Sequence, residues 1–257
     1  MNATDDLDRY CRNCDAGVAL GQSYCGACGQ KCGFHRLTVR EIGHDLVHAL
    51  VHVDRSALSL LRMLLAQPGT VARDYVQGKR RRYFGPFSFL AVVVAAASAV
   101  DVLTGFRPIY SSNPNAMISF LQSHMNLLVF AEVPLLAAVS RLLDLRGPFN
   151  LAEHLVLAAY TASLRIIVAM LVLIPVWYVF RARHATARVL PPRLMWTLYL
   201  GAAVIWALYF GFARCQFLSD RRALSWCKGM LATVITGVSL QVLVSVIASL
   251  AGSVPGA

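Results

Sequence analysis

The sequence predicts an all-α membrane protein, with about five transmembrane helices preceded by a small cysteine-bearing N-terminal ribbon and amphipathic helices. Three observations carry that expectation. The chain is 57% hydrophobic and only 14% charged, whereas soluble domains carry about 25% charged residues. The apolar excess begins abruptly near residue 87, after ordinary polar sequence. The break is marked by four consecutive cations, Lys79, Arg80, Arg81 and Arg82, then Tyr83 and Phe84, then Gly85 and Pro86. Cations followed by interfacial aromatics mark the point where a chain enters a bilayer from the cytoplasm. Three regions follow: a ribbon over 1–36, amphipathic and juxtamembrane helices with the basic joint over 37–86, and a transmembrane bundle over 87–252.

The ribbon has its own chemistry. Of seven cysteines, five lie between positions 11 and 32, in the spacing Cys11-x2-Cys14, ten residues, Cys25-x2-Cys28, and then Cys32. The first ten residues contain neither a basic n-region nor an apolar core, so no export signal accompanies these thiols, and clustered thiols then point to metal binding over disulfides. Four thiolates at Cys11, Cys14, Cys25 and Cys28 can close a tetrahedron around structural Zn²⁺, with no position left open for catalysis. By spacing alone Cys32 could replace Cys28. A redox pair is the weaker alternative.

After the ribbon, Thr38 and Glu41 form a capping box for a helix over about 39–53. His44, His48 and His52 share one face of it, either a second metal site or a polar stripe. The aliphatic segment Ser56–Ala66 is too short to span and is expected at the interface or against the bundle. Pro68-Gly69 is read as its end, and Thr70 as the N-cap of a short helix over Val71–Gln77 stopped by Gly78.

Five apolar runs follow, about 87–106, 121–143, 151–180, 194–213 and 229–251, each long enough to cross. Pro134 and Pro175 can distort the second and third. Basic residues before the first run and in the 144–150 and 214–228 loops favour a cytoplasmic N-terminus, although the four arginines of the 181–193 loop disagree. Charge inside lipid is costly unless paired or watered. Glu132 and Arg165 fall at about 16 and 21 Å from the cytoplasmic ends of their runs, so they are expected to pair. Glu153 and His154, at the start of the third run, are expected to anchor at the interface, with a headgroup contact or a proton-handling couple as the alternatives. Asp101 lies near the outer end of its run.

The net charge of +11 flanks hydrophobic runs, which assigns it to topology over nucleic-acid binding. Nucleotide-binding loops, a zinc-protease helix motif and a nucleophile elbow are all missing, so no enzymatic reading is supported. The expected partners are membrane lipids, with anionic headgroups at Lys79–Arg82, and a cytoplasmic protein; nucleic acid ranks last. The expected function is a membrane-anchored binding or adaptor module; the alternative is a transporter, channel or lipid-handling protein built on Glu132 and Arg165.

The ordered motifs Cys11-x-Asn13-Cys14, Tyr24-Cys25-x2-Cys28-Gly29-Gln30, Leu64-Leu65-Ala66-Gln67-Pro68-Gly69 and Tyr75-x2-Gly78-Lys79-Arg80-x2-Tyr83 with Pro86, continuing to Glu153-His154, resemble a family of bacterial zinc-ribbon membrane proteins of unknown function. The resemblance implies an inner-membrane protein with a metal-bearing cytoplasmic head at Cys11, Cys14, Cys25 and Cys28. It implies no reaction.

Overall fold

The computed structural model describes residues 10–19, 21–33, 36–39, 56–105, 125–183, 191–220 and 223–252. The expected helix over 39–53, apart from Val39, and its histidine stripe lie outside them. The described helices are α1 Ser56–Ala66, α2 Pro68–Val76, α3 Pro86–Thr104, a 3-10 turn at Met125–Leu128, α4 Val129–Leu142, α5 Leu151–Arg183, α6 Pro192–Leu218 and α7 Ala223–Gly252. No strand occurs among the described residues; the ribbon contains two isolated bridges.

Local chemistry sets the boundaries. Proline opens α2, α3 and α6, where its missing N–H costs nothing. Pro68 therefore starts α2 directly after α1, and the N-cap is Gln67, which makes no side-chain cap bond, instead of the expected Thr70. Gly78, at φ +109°, turns the chain out of α2 as expected. Arg214 and Lys228, read as loop cations, are inside α6 and α7, which shrinks the connection between those helices to 219–222.

Four helices are long and apolar enough to cross a membrane: Pro86–Thr104, Leu151–Phe180, Arg193–Leu218 and Ala223–Ile247. The second apolar run does not supply a fifth of that length. Its described part divides into the 3-10 turn and the 14-residue α4, about 21 Å of helix. It still carries the chain across the bundle. Asn126 Nδ2 donates to Asp101 Oδ2 (2.7 Å) at the far end of α3, while Pro148 and Asn150, beyond α4, bond to Arg36 and Leu37 beside the ribbon.

α5 is the axis of the bundle. Every residue from Ala152 to Leu164 is buried, so this half of the helix is enclosed on all sides, consistent with its lack of a polar face. α1 and α2 both pack against it, with Leu60 and Leu64 fully buried. Beyond Arg165 the surface opens, and Leu171, Leu200 and Val238 are among many exposed apolar side chains, a surface suited to a lipid phase.

Two glycine contacts fix how closely the helices approach. A Cβ at Gly69 would overlap the carbonyl oxygen of Ala213 and come within 2.6 Å of Phe217 N, so α2 rests directly on the α6 backbone. A Cβ at Gly229 would lie 2.7 Å from Gly211 Cα, where α7 crosses α6. Overpacking against backbone has no flexible neighbour to yield. Gly69→Ala is expected to cost about 2–3 kcal/mol in thermal unfolding of the detergent-purified protein. Gly201→Ala, in open surroundings on α6, is expected to be neutral or stabilising by up to about 1 kcal/mol. Equal midpoints for the two variants would contradict this packing.

Candidate metal centre and its clamp on the bundle

The ribbon is one turn used twice. Cys11 N bonds Ala16 O (2.8 Å) and Asp15 N bonds Cys11 O (2.7 Å); Cys25 N bonds Gln30 O (2.8 Å) and Gly29 N bonds Cys25 O (2.8 Å). Antiparallel bridges close both turns, Tyr10 with Gly17 and Tyr24 with Lys31. The residue after each second cysteine has positive φ, Asp15 at +57° and Gly29 at +70°. Asp tolerates that conformation better than most residues, and Gly adopts it freely.

Folded this way, Cys11, Cys14, Cys25 and Cys28 bring their sulfurs within 4.8 Å of one another. Cys11 and Cys28 are 3.5 Å apart and Cys14 and Cys25 3.7 Å. A tetrahedral ion with metal–sulfur bonds of about 2.3 Å separates its sulfurs by about 3.8 Å, so the four residues fit a bound metal ion. Cys32 is outside the group: its backbone N–H bonds Ser23 O and its thiol leans on Gln30 O.

Thiols this close cannot all ionise without a cation, and their titrations spread apart. The backbone N–H of Gln30 leads in lowering Cys28, to about 6. Cys25 is also lowered, first by the Cys28 backbone N–H. For Cys14 the Ala16 backbone N–H favours the thiolate, yet the neighbouring Cys28 sulfur and desolvation push the thiol up to about 12.

Two polar clamps tie this knot to the bundle. In the first, the Gln30 side chain bridges the basic joint: its Nε2 donates to Gly78 O (2.6 Å) and its Oε1 accepts from Arg81 N (3.1 Å). Asp74 holds the same turn from inside, accepting from Lys79 Nζ (3.1 Å) and Tyr83 Oη (2.9 Å). Burial, reinforced by the Asp74 bond, pushes the Tyr83 phenol up to about 12. Tyr160 of α5 donates to Phe84 O (2.6 Å) and meets Tyr75 edge-on. Within the cationic run, Arg81 and Arg82 are exposed, and Arg82 lies 5.8 Å from the Tyr83 ring centre.

The second clamp is on α5. Asn150 and Glu153 form a capping box: Glu153 N donates to Asn150 Oδ1 (2.9 Å) and Asn150 N to Glu153 Oε2 (2.7 Å). The same carboxylate takes Arg36 as a fork, with Nε to Oε1 and Nη2 to Oε2 both at 2.8 Å, while Arg36 also donates to Pro148 O. Asn150 Nδ2 donates to Leu37 O (3.0 Å), tying the chain after the ribbon a second time.

Glu153 and His154 are only 3% and 1% exposed, so protein encloses both and the expected headgroup contact is not made. They turn to different partners. His154 Nδ1 shares a hydrogen bond with Ser140 Oγ (3.1 Å), and its ring meets Phe217 edge-on. Beside it Arg214, 1% exposed, donates to Ser225 O (2.8 Å) and Oγ (2.9 Å) and lies 3.7 Å from Asp144. Further along, the structure brings Arg165 and Glu132 together in an ion pair, with the guanidinium 5.2 Å from the Trp206 ring centre.

Fold and site together define a helical protein with four helices able to cross a membrane and a four-cysteine cluster able to hold a metal. A model for a family described as a protein of unknown function (DUF3667) matches residues 59–97, the stretch from α1 through the joint into α3. No curated protein and no solved structure matches the chain.

Metal analysis of the intact protein is expected to find an ion in stoichiometric amount. Cys11→Ala and Cys25→Ala should each lose it, and Cys32→Ser should keep it. Loss in the Cys32 variant equal to that in the others would move Cys32 into the ligand set.

Proposed function

We propose that the protein is a multi-pass protein of the bacterial inner membrane whose N-terminus faces the cytoplasm. It holds structural Zn²⁺ at Cys11, Cys14, Cys25 and Cys28. All four donors are thiolates and none of the four positions remains for substrate, which favours zinc in a structural role. The head and joint form a membrane-anchored binding module. Its partners are a cytoplasmic protein on the ribbon and anionic lipid at Lys79, Arg80, Arg81 and Arg82, about 1 kcal/mol per cation near the surface.

The observation that carries this reading is the outward face of a clamped head. Gln30 and Arg36 secure the ribbon on its inner side, while Tyr10 and Tyr24, equivalent residues of the two turns, are 65% and 61% exposed. Exposed tyrosines on a rigid, metal-held turn suit protein docking, because little side-chain freedom is lost on binding.

A transporter or channel using Glu132 and Arg165 is the second reading, favoured by their ion pair inside the bundle. It ranks lower because the pair is also covered by Trp206. Neither residue lines the cavity below the ribbon or the one between α2, α6 and α7.

Photo-crosslinking in native membranes, with the probe at Tyr10 or Tyr24, tests the binding module. A discrete adduct with a cytoplasmic protein is expected, lost in the Cys25→Ala/Cys28→Ala protein while membrane insertion is kept. An adduct that survives loss of both cysteines would overturn the reading.

A further inference from the structure

A cavity of about 740 Å³ lies between α2, the last turns of α6 and the first turns of α7. That volume is in the range of about 300–1,000 Å³ typical of small-molecule sites. Its lining is divided. Thr70, Arg73 and Ser219 supply donors, and Phe212 and Trp226 supply an apolar wall. Gln216, also at the cavity, is already engaged by Gly69 N (3.0 Å) and Ala66 O (3.4 Å). By contrast Arg73, a residue of intermediate exposure, has no ion pair or side-chain hydrogen bond among the described residues, and neither do the Thr70 and Ser219 hydroxyls. The neighbouring acid, Asp74, is taken by Lys79 and Tyr83.

A guanidinium at a cavity wall without a counter-charge among the described residues favours an anionic ligand, and a phosphate suits its fork. Position then narrows the choice. The cavity sits at the head-side ends of two helices able to cross a membrane, with Phe212 41% and Trp226 38% exposed on the outer surface of the bundle. Tryptophan at this level is an interfacial side chain. A free phosphate would use the donors and leave the apolar wall idle.

We propose that this cavity is a binding site for an anionic phospholipid. Arg73, Thr70 and Ser219 hold the phosphate, and Phe212 and Trp226 line the path of the first acyl carbons. The site is separate from the cationic run at Lys79–Arg82 and rests on the reading of the chain as a membrane protein.

The test uses the full chain in detergent micelles, titrated with phosphatidylglycerol or phosphatidylcholine and read by native mass spectrometry, with inorganic phosphate as competitor. Phosphatidylglycerol is expected to be retained preferentially and not displaced by phosphate. Arg73→Gln should weaken its retention about fivefold, and Arg146→Gln, an equal charge change outside the cavity, should not. Ala223→Asp places an anion at the rim in the first turn of α7, where helices accept acidic residues, and should weaken retention similarly. It covers the case in which Arg73→Gln does not fold. Unchanged retention in either folded variant would overturn the site, and so would displacement of the lipid by inorganic phosphate. A chain soluble without detergent would instead overturn the membrane reading itself.

Discussion

The Glu153 carboxylate is the contact on which the relation between head and bundle depends. It is 3% exposed and sits at the start of a helix whose next three turns are wholly buried. A carboxylate removed from water needs partners, and here they come from two sides. Asn150 supplies a backbone N–H in the capping box, and Arg36 supplies a bidentate fork from the chain leaving the ribbon. Because the Arg36 side chain is itself 53% exposed, solvent screens part of its attraction, and the pair adds little as an isolated bridge. Its weight lies in the alternative: removing Arg36 would strand a buried anion, a change that costs about 3–5 kcal/mol where both partners are enclosed and less for this half-exposed pair. A capping group of the central helix is thereby completed by a residue from the four-cysteine head.

The stretch matched by the family model serves the same end mechanically. Pro68 opens α2 without an intervening loop, and Gly69 lets it rest on the α6 backbone. Asp74, Gly78 and Tyr83 then shape the joint into a surface that the Gln30 amide reads with both of its polar atoms. The Gly-Lys-Arg and Cys-Gly-Gln motifs, distant in sequence, are the two halves of one contact. The joint is thus a bearing between ribbon and bundle, with Arg81 and Arg82 exposed on its outer side.

The parts of this architecture that were legible in the sequence are those fixed by local rules. Cysteine spacing revealed the four-sulfur cluster, because a Cys-x2-Cys turn folds on its own geometry. Depth along helices of known rise brought Glu132 and Arg165 together. What stayed hidden depends on long-range packing. Arg214 looked like one more cytoplasmic cation, since position alone does not reveal that Ser225 and Asp144 enclose it. Glu153 and His154 looked interfacial, because position alone does not reveal that Arg36 and Asn150 engage the one and Ser140 and Phe217 the other. The Asn150-x2-Glu153 spacing is that of a helix cap, and only the structure shows Arg36 completing it. Apolar content also overstated the second run, whose described part is regular α-helix only from Val129 to Leu142.

A linkage between metal occupancy and the joint is expected, because Gln30 follows the second cysteine turn and directly bonds the backbone that leads into α3. Hydrogen exchange at the Arg81 amide, measured before and after chelation of the intact protein, tests that linkage most directly. Loss of the metal should release Gln30 and speed exchange at Arg81, while the amides of the enclosed half of α5 stay protected. Exchange at Arg81 that does not change on metal removal would contradict the linkage and show that ribbon and bundle are independent.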